Sequence, residues 1–296
     1  MHSRLLVPVA TLWIASACGP HRTAGGPATP TPPSIPPAIQ PPAPPVNRPT
    51  DVVRIGPSAL RYVLHQQIHA VQEFQGQTQT IDRGIRLFVS ATITGPADSA
   101  GYPLTFTIDS IVSDSGTTLP PTVNLAAARG LRYTGRLAPS GEFRNIVPSD
   151  SARAQAFAQL AGGFVRTFYP RLPPGGLTLG AEWTDTLTST DRTVVEVTSR
   201  TIHHARAVAW EERGGARCLR LEVSATYTVT GAGEQGGQPL EVVGSGTRST
   251  IQFVAADGRY MGGEFSDSSA IVITLPVQGA TVPVRQVSRY TVAVLP

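Results

Sequence analysis

The chain has 296 residues, with 24 basic and 20 acidic side chains and a formal net charge of +4. Every basic residue is arginine, which excludes lysine-dependent chemistry such as Schiff-base formation. The arginines are dispersed and form no basic run, so we expect no nucleic-acid partner. Only two cysteines occur, Cys18 and Cys218, so the chain has no disulfide framework if Cys18 is used elsewhere.

The N-terminus has the layout of a secretory signal. Arg4 gives a positive start, and an apolar run of ten residues follows from Leu5 to Ile14. This run is too short to span a bilayer as a helix. Small residues at 15–17 then lead directly to Cys18, as the cleft of a signal peptidase requires.

The stretch "LLVPVATLWIASACGP" resembles the lipobox of bacterial lipoproteins, although Ala15 stands where the family prefers leucine. The resemblance implies cleavage before Cys18 and attachment of acyl chains to it, which would anchor the protein in a membrane. The alternative is an ordinary secretory signal that ends near a cysteine. Because Gly19 and not aspartate follows the cysteine, the lipoprotein sorting rule implies the outer membrane of the bacterial cell envelope, facing the periplasm or the exterior.

Residues 19–50 contain twelve prolines, which remove backbone donors and fix φ. We expect a disordered, extended spacer of polyproline II type here. A ligand for an SH3-like or WW-like domain is the alternative interpretation. The predicted organisation is therefore a signal peptide at 1–17, a lipid-anchored proline-rich tether at 18–50 and a single β-rich domain at 51–296.

The domain is dominated by alternating patterns typical of antiparallel strands with one buried face. In "LRLEVSATYTV", the apolar residues from Leu219 to Val229 fall on one face and the polar residues on the other. Short turn sequences such as "APSGE" and "AADGR" separate the strands, which predicts a meander. Twelve strands are predicted, at 61–74, 85–94, 103–113, 130–138, 141–147, 182–189, 193–203, 205–213, 219–229, 240–255, 259–275 and 281–295.

One segment, "SDSARAQAFAQLAGGFVRTFYP", has helical spacing of its apolar residues. Ser149 or Asp150 can cap this helix, and Pro170 stops it. A second, shorter turn of helix is predicted at "TVNLAAARG", ended by Gly130. The longer helix divides two similar halves of the chain, which indicates one continuous curved sheet.

The motif "FYPRLPPGGLTLGAEW", with Pro170, Pro173, Gly180 and Trp183, resembles a group of bacterial lipoproteins that have a β-rich domain and no assigned activity. More remotely, the order of elements is similar to Lol-type lipoprotein carriers and related half-barrels. This resemblance implies an α+β fold, mainly β with one or two helices, in which a curved antiparallel meander or half-barrel packs on a helix. It also implies a cavity for a lipid or other apolar ligand, with these candidate lining residues: Phe157, Leu160, Phe164, Phe168 and Trp183.

No motif for catalysis, cofactor binding or metal binding is present, so we expect no enzyme activity, cofactor or metal. His65 and His69 share one strand face but stand about 13 Å apart, too far to chelate one ion. His203 and His204 point to opposite faces, and Cys218 is expected to be structural. Three hypotheses follow: a non-catalytic carrier of an apolar ligand, an assembly lipoprotein that contacts an envelope protein, or an unrecognised envelope hydrolase.

Overall fold

A computed structural model describes residues 51–117, 125–161, 164–192, 195–235 and 237–296. The predicted signal peptide, tether and lipidated Cys18 lie outside these ranges. No helix in the described part of the chain is long and apolar enough to cross a membrane.

In the described ranges, eleven antiparallel strands form a single sheet. They are β1 (Ser58–Phe74), β2 (Gln77–Ile93), β3 (Tyr102–Ser113), β4 (Arg132–Leu137), β5 (Phe143–Pro148), β6 (Glu182–Arg192), β7 (Val195–Arg213), β8 (Ala216–Gln235), β9 (Gln238–Ala255), β10 (Tyr260–Leu275) and β11 (Ala280–Val294). The helical elements are α1 (Ser151–Ala161), α2 (Phe164–Thr167) and 3-10 turns at Leu125–Ala128 and Pro276–Gln278.

The strand order is β5-β4-β3-β2-β1-β11-β10-β9-β8-β7-β6. Chain neighbours pair as the short links predict, and one further pairing joins β1 to β11, with Tyr62 opposite Val294. The first and last strands therefore lie side by side in the middle of the sheet, and β5 and β6 are its edges.

The prediction of an α+β fold packed on a helix is wrong, because the protein is nearly all β. The predicted long helix is replaced by α1 and the single turn of α2, which together form only a connection between β5 and β6. Asp150 caps α1, since its carboxylate accepts a hydrogen bond from the backbone nitrogen of Arg153 at 2.9 Å. Alternation at period two continues through eleven strands, so the sheet buries its own inner face with little helical cover.

Several strands, such as β1, β2 and β8, are also longer than the sequence patterns predict, whereas β4 and β5 are shorter. The two segments predicted at 193–203 and 205–213 belong to one strand, β7, which continues through His204. The polar residues at its middle interrupt the apolar alternation without interrupting the hydrogen-bonded ladder.

The inner face carries two apolar clusters at opposite ends of the strands. The larger one includes Tyr62, Phe106, Leu221 and Tyr260 and receives side chains from the α1–α2 connection. The smaller one, around Val242 and Ile273, lies at the far ends of β7 to β11. Polar side chains separate the two clusters on the same face.

Candidate functional site

The five predicted cavity-lining residues do not surround a described cleft. Phe157 and Phe168 are buried in the larger apolar cluster, and Phe164 and Trp183 are half-buried against it. Leu160 lies in α1, and its side chain is outside the described part of the structure. This arrangement favours a filled interface between the connection and the sheet.

Phe168 is the centre of that interface. Its ring centroid lies 5.0 Å from those of Tyr62 and Phe106 and 5.5 Å from those of Phe164 and Tyr260. All four contacts are edge-to-face, which is a favoured geometry for aromatic pairs. Side chains that interlock in this way occupy the space that an acyl chain would need.

Cys218 is a free, buried cysteine. It lies on the outer face, as the alternation predicts, but beneath a small apolar cluster with Phe253 and Ala255. Its thiol contacts the carbonyl oxygen of Ala216 at 3.3 Å, and burial raises its pKa. A buried thiol that is hard to ionise is a structural group, in agreement with the sequence interpretation.

A row of polar residues crosses the inner face between the two apolar clusters, and we call it the interior polar row. Strand register aligns its six members along a line that crosses eight strands, from β6 to β2. They are Asp185, His203, Arg248, Asp267, Ser288 and Arg83. Charged groups are rarely buried unless they are paired, because their removal from water costs free energy. Burial of this row therefore lowers the stability of the folded protein.

Asp267 is the most deeply buried member of the interior polar row, with no exposed surface. One of its carboxylate oxygens accepts a hydrogen bond from the Tyr227 hydroxyl at 3.0 Å, while the other has no hydrogen-bond partner. Burial raises the Asp267 pKa to about 8, although the nearby Arg248 and the Tyr227 bond oppose this shift. Burial likewise lowers the pKa of His203 to about 4.

The outer face carries two adjoining clefts, which together form a feature that we call the outer groove. The larger cleft has a volume of about 560 Å³ and the smaller about 260 Å³. Gln67 and Arg289 line both clefts and stand directly opposite each other on β1 and β11. The groove is therefore centred on the pair formed by the first and last strands of the described sheet.

One wall of the outer groove is the loop that follows β3. The loop contacts β2 at Gly84, whose carbonyl accepts a hydrogen bond from the Asp114 nitrogen at 2.8 Å. The Thr117 hydroxyl accepts a bond from the Gly84 nitrogen and donates one to its carbonyl, both at 2.9 Å. Gly84 allows this contact because a Cβ there would lie 2.3 Å from an Asp114 carboxylate oxygen.

Asp114 connects the loop to the floor of the groove. Its carboxylate lies 2.6 Å from Nε2 of His65 and accepts a hydrogen bond from Arg86 at 2.9 Å. These two hydrogen bonds, that of His65 first, lower the pKa of Asp114. The carboxylate therefore stays ionised, and it fixes the His65 ring at the edge of the smaller cleft.

A second histidine lies in the larger cleft, where His69 Nδ1 stands 2.7 Å from Asp82. A histidine oriented by a carboxylate is the arrangement that a general base needs. Among the described residues, however, no hydroxyl is hydrogen-bonded to either ring of the two pairs, and no group of three acidic, histidine or cysteine side chains could hold a metal ion. The two His–Asp pairs therefore stand in the groove as hydrogen-bonding groups.

Gly84→Ala should destabilise the protein by about 1–3 kcal/mol, because the added methyl group must displace a carboxylate that His65 and Arg86 hold in place. Urea unfolding of the variant measures the loss. Gly175→Ala is the control, since a Cβ at Gly175 meets no atom within 4 Å. Equal stability of both variants would mean that the loop does not pack on β2.

The outer groove is not among the features predicted from the sequence. The spacing of His65 and His69 indicates only that they cannot share a metal ion, and the structure shows that each one has its own aspartate instead. The residue that could have indicated the groove is Gly84. A glycine inside a strand often occurs where another backbone approaches closely. Arg289 gave no signal, because it sits at an ordinary polar position of an alternating strand.

No protein-family model and no curated protein matches the sequence. Solved structures that are similar include OccK2 (OpdF) of Pseudomonas aeruginosa, at 9% identity and a TM-score of 0.27, covering 81% of this chain and 98% of that one. Another is in-vitro folded OmpT, an outer membrane protein of Vibrio cholerae in its trimer form, at 8% identity and a TM-score of 0.19, covering 80% and 100%. Neither likeness is close enough to carry function from those proteins to this chain.

Proposed function

We propose that the protein is a non-catalytic component of the bacterial cell envelope, anchored by lipid at Cys18, that binds another envelope component through its outer surface. The supporting observation is the contrast between the two faces of the sheet. The inner face is filled by apolar clusters and the interior polar row, whereas the outer face carries the open, polar groove. The outer membrane is the proposed address, from Gly19 and the lipobox resemblance.

Carriage of a lipid inside the domain is the weaker candidate. The rings around Phe168 interlock at centroid distances of 5.0 to 5.5 Å, and Tyr62 is further fixed by a hydrogen bond from its hydroxyl to the Tyr260 carbonyl. An acyl chain could enter only if these contacts separated. Surface binding requires no such rearrangement.

Lipid anchoring is compatible with the polar outer face. Serine, threonine and charged side chains occupy most outward positions of β6 to β10, as in Thr226, Thr247 and Ser268. A surface of this composition favours water over hydrocarbon, so membrane attachment would have to come from the acylated N-terminus. A proline-rich tether would then hold the domain away from the membrane.

Cys18→Ser should move the protein from the membrane fraction to the aqueous fraction, since it removes the only proposed site of acylation. Fractionation followed by immunoblotting measures the change, and intact mass reports the loss of the acyl groups. Cys218→Ser is the matched control and should fractionate like the unaltered protein. Firm membrane attachment of the Cys18→Ser chain would contradict the anchor.

An envelope hydrolase is a second candidate, favoured by the two His–Asp pairs in the outer groove. It would need a water molecule or a substrate group as the nucleophile, since no described hydroxyl is bonded to His65 or His69. Hydrolysis of an activated ester that is lost in His65→Gln and retained in His203→Gln would support this candidate. Equal rates in both variants would remove it.

A further inference from the structure

The outer groove is a polar channel that crosses five neighbouring strands. Residues from β9, β10, β11, β1 and β2 line it, and four strand spacings of about 4.8 Å give a length of about 19 Å. A straight row of register partners forms its floor. The row consists of Ser249, Ser266, Arg289, Gln67 and Gly84.

Arg289 is the charged centre of that floor. Its side chain is exposed, and within the described part of the chain it forms no ion pair or hydrogen bond. Arg86, which neighbours the groove, is by contrast engaged by Asp114. A guanidinium offers five donors in a planar fork that matches the oxygens of a carboxylate or phosphate.

The groups around Arg289 are mainly neutral hydrogen-bonding side chains. Gln67 lies opposite it on β1 and Ser266 opposite it on β10, while Thr291 follows two residues later on the same face. Hydroxyls and amides both donate and accept hydrogen bonds, which suits a ligand that is itself rich in hydroxyl groups. Glu264, in the smaller cleft, is the one acidic group there and would accept hydrogen bonds from ligand hydroxyls.

Apolar contacts are sparse in the groove. Among its lining residues only Ile68, Val287, Ile251, Phe265 and Tyr290 are apolar or aromatic. Of these, Ile68, Phe265 and Tyr290 face inward by strand register, so only Val287 and Ile251 present apolar side chains to the groove. Hydrophobic side chains of a peptide or the tails of a lipid would find little to pack against. The lining therefore favours a carbohydrate over these ligands.

We propose that the outer groove binds an acidic glycan, an extended sugar chain whose carboxylate or phosphate is held by Arg289 and whose hydroxyls bond to Gln67, Ser266 and Thr291. The proposal rests on the proposed function and deepens it by naming the class of envelope component that is bound. It does not depend on the anchor, so release of the Cys18→Ser chain and binding at the groove can succeed or fail separately.

Isothermal titration calorimetry of the full chain tests the proposal with three glycans of six sugars each: oligogalacturonate, a phosphorylated mannan fragment and neutral maltohexaose. We expect at least one acidic glycan to bind at least tenfold more tightly than maltohexaose. The acidic glycan that binds shows whether the groove prefers a carboxylate or a phosphate. Affinity should also fall as salt is raised, since screening weakens the contact with an exposed guanidinium.

Arg289→Gln should weaken binding of the acidic glycan at least tenfold. Arg285→Gln is the matched control, because Arg285 lies on the same strand and the same outer face, is exposed, and lines neither cleft. Its affinity should stay within twofold of the unaltered chain. Gln67→Leu provides a second groove variant, with an expected loss smaller than that of Arg289→Gln.

Three results would overturn the proposal. The first is that neither acidic glycan binds, and the second is that Arg289→Gln and Arg285→Gln weaken binding equally, which would indicate only attraction to the net positive charge. The third is that vesicles of anionic phospholipid bind with dependence on Arg289 while both acidic glycans fail. Circular dichroism of each variant should match that of the unaltered chain.

Discussion

Phe168→Ala should destabilise the protein by about 3–5 kcal/mol, the largest loss that we expect from any single core substitution. Phe168 is 2% exposed and contacts five other rings, so its truncation removes both buried area and edge-to-face contacts. It leaves a cavity that Tyr62 and Tyr260 cannot fill, since both are held by other contacts. Urea unfolding followed by tryptophan fluorescence measures the loss.

Two control variants and a delipidated sample show whether the loss of stability comes from the filled interface. Phe164→Ala should cost less, because Phe164 is only half-buried, and Val147→Ala should cost under about 0.5 kcal/mol, because Val147 is 61% exposed. The loss in Phe168→Ala should also be the same in delipidated protein. If added fatty acid restored the stability, the connection would line a lipid cavity after all, and the filled interface would be wrong.

Asp267→Asn should change how stability depends on pH. The pKa of Asp267 is about 8 in the folded protein, against an ordinary value of 3.8, so between these values the folded chain keeps a proton that the unfolded chain releases. The free energy of unfolding therefore falls by about 1.4 kcal/mol per pH unit as pH rises through this range. Asparagine removes this loss, since it stays neutral.

His203 acts in the opposite direction over part of the range. Its pKa is about 4 in the folded protein, against an ordinary 6.5, so the unfolded chain binds the extra proton and stability rises with pH between these values. The two contributions cancel between about pH 4 and 6.5, and only the loss from Asp267 remains up to about pH 8. The unaltered protein should lose stability between pH 6.5 and 8, and Asp267→Asn should not.

Urea unfolding at pH 5, 6.5 and 8 compares the free energy of unfolding of the unaltered protein with that of Asp267→Asn. In Asp267→Asn the contribution of His203 is left unopposed, so stability should rise from pH 5 to 6.5. Asp257→Asn is the control, since it removes a carboxylate whose side chain is 56% exposed. Parallel curves for the unaltered protein and Asp267→Asn would mean that Asp267 is ionised in the folded state.

The strands could be predicted from the sequence because alternation at period two is a local signal. Leu219, Leu221 and Tyr227 are buried in β8, on the face that their spacing indicates. The helix was overestimated for a related reason. Apolar residues at helical spacing around Phe164 and Phe168 reflect contacts with the sheet, and the segment needs only a single turn of helix to make them.

The interior polar row and the outer groove could not be predicted, because both depend on strand register. Alternation places Asp267 on the same face as Phe265 and Ile271, but only the pairing of β10 with β9 and β11 brings it beside Arg248 and Ser288. Similarly, Gln67 and Arg289 are more than two hundred positions apart and become neighbours only through the pairing of β1 with β11. Period-two patterns identify faces but not partners.

The pairing of β1 with β11 also fixes when the protein can be completed during synthesis. Among the strands of the sheet, β1 is synthesised first. Its partner at the centre of the sheet is β11, a strand of fifteen residues that is synthesised last. Until that strand emerges, β1–β5 and β6–β10 are two incomplete sheets, and each has an open inner edge of unpaired backbone groups that attracts other strands. A chain of this design must be kept apart from its copies until β11 has been made, and the groove on Arg289 and Gln67 is created only when β11 pairs with β1.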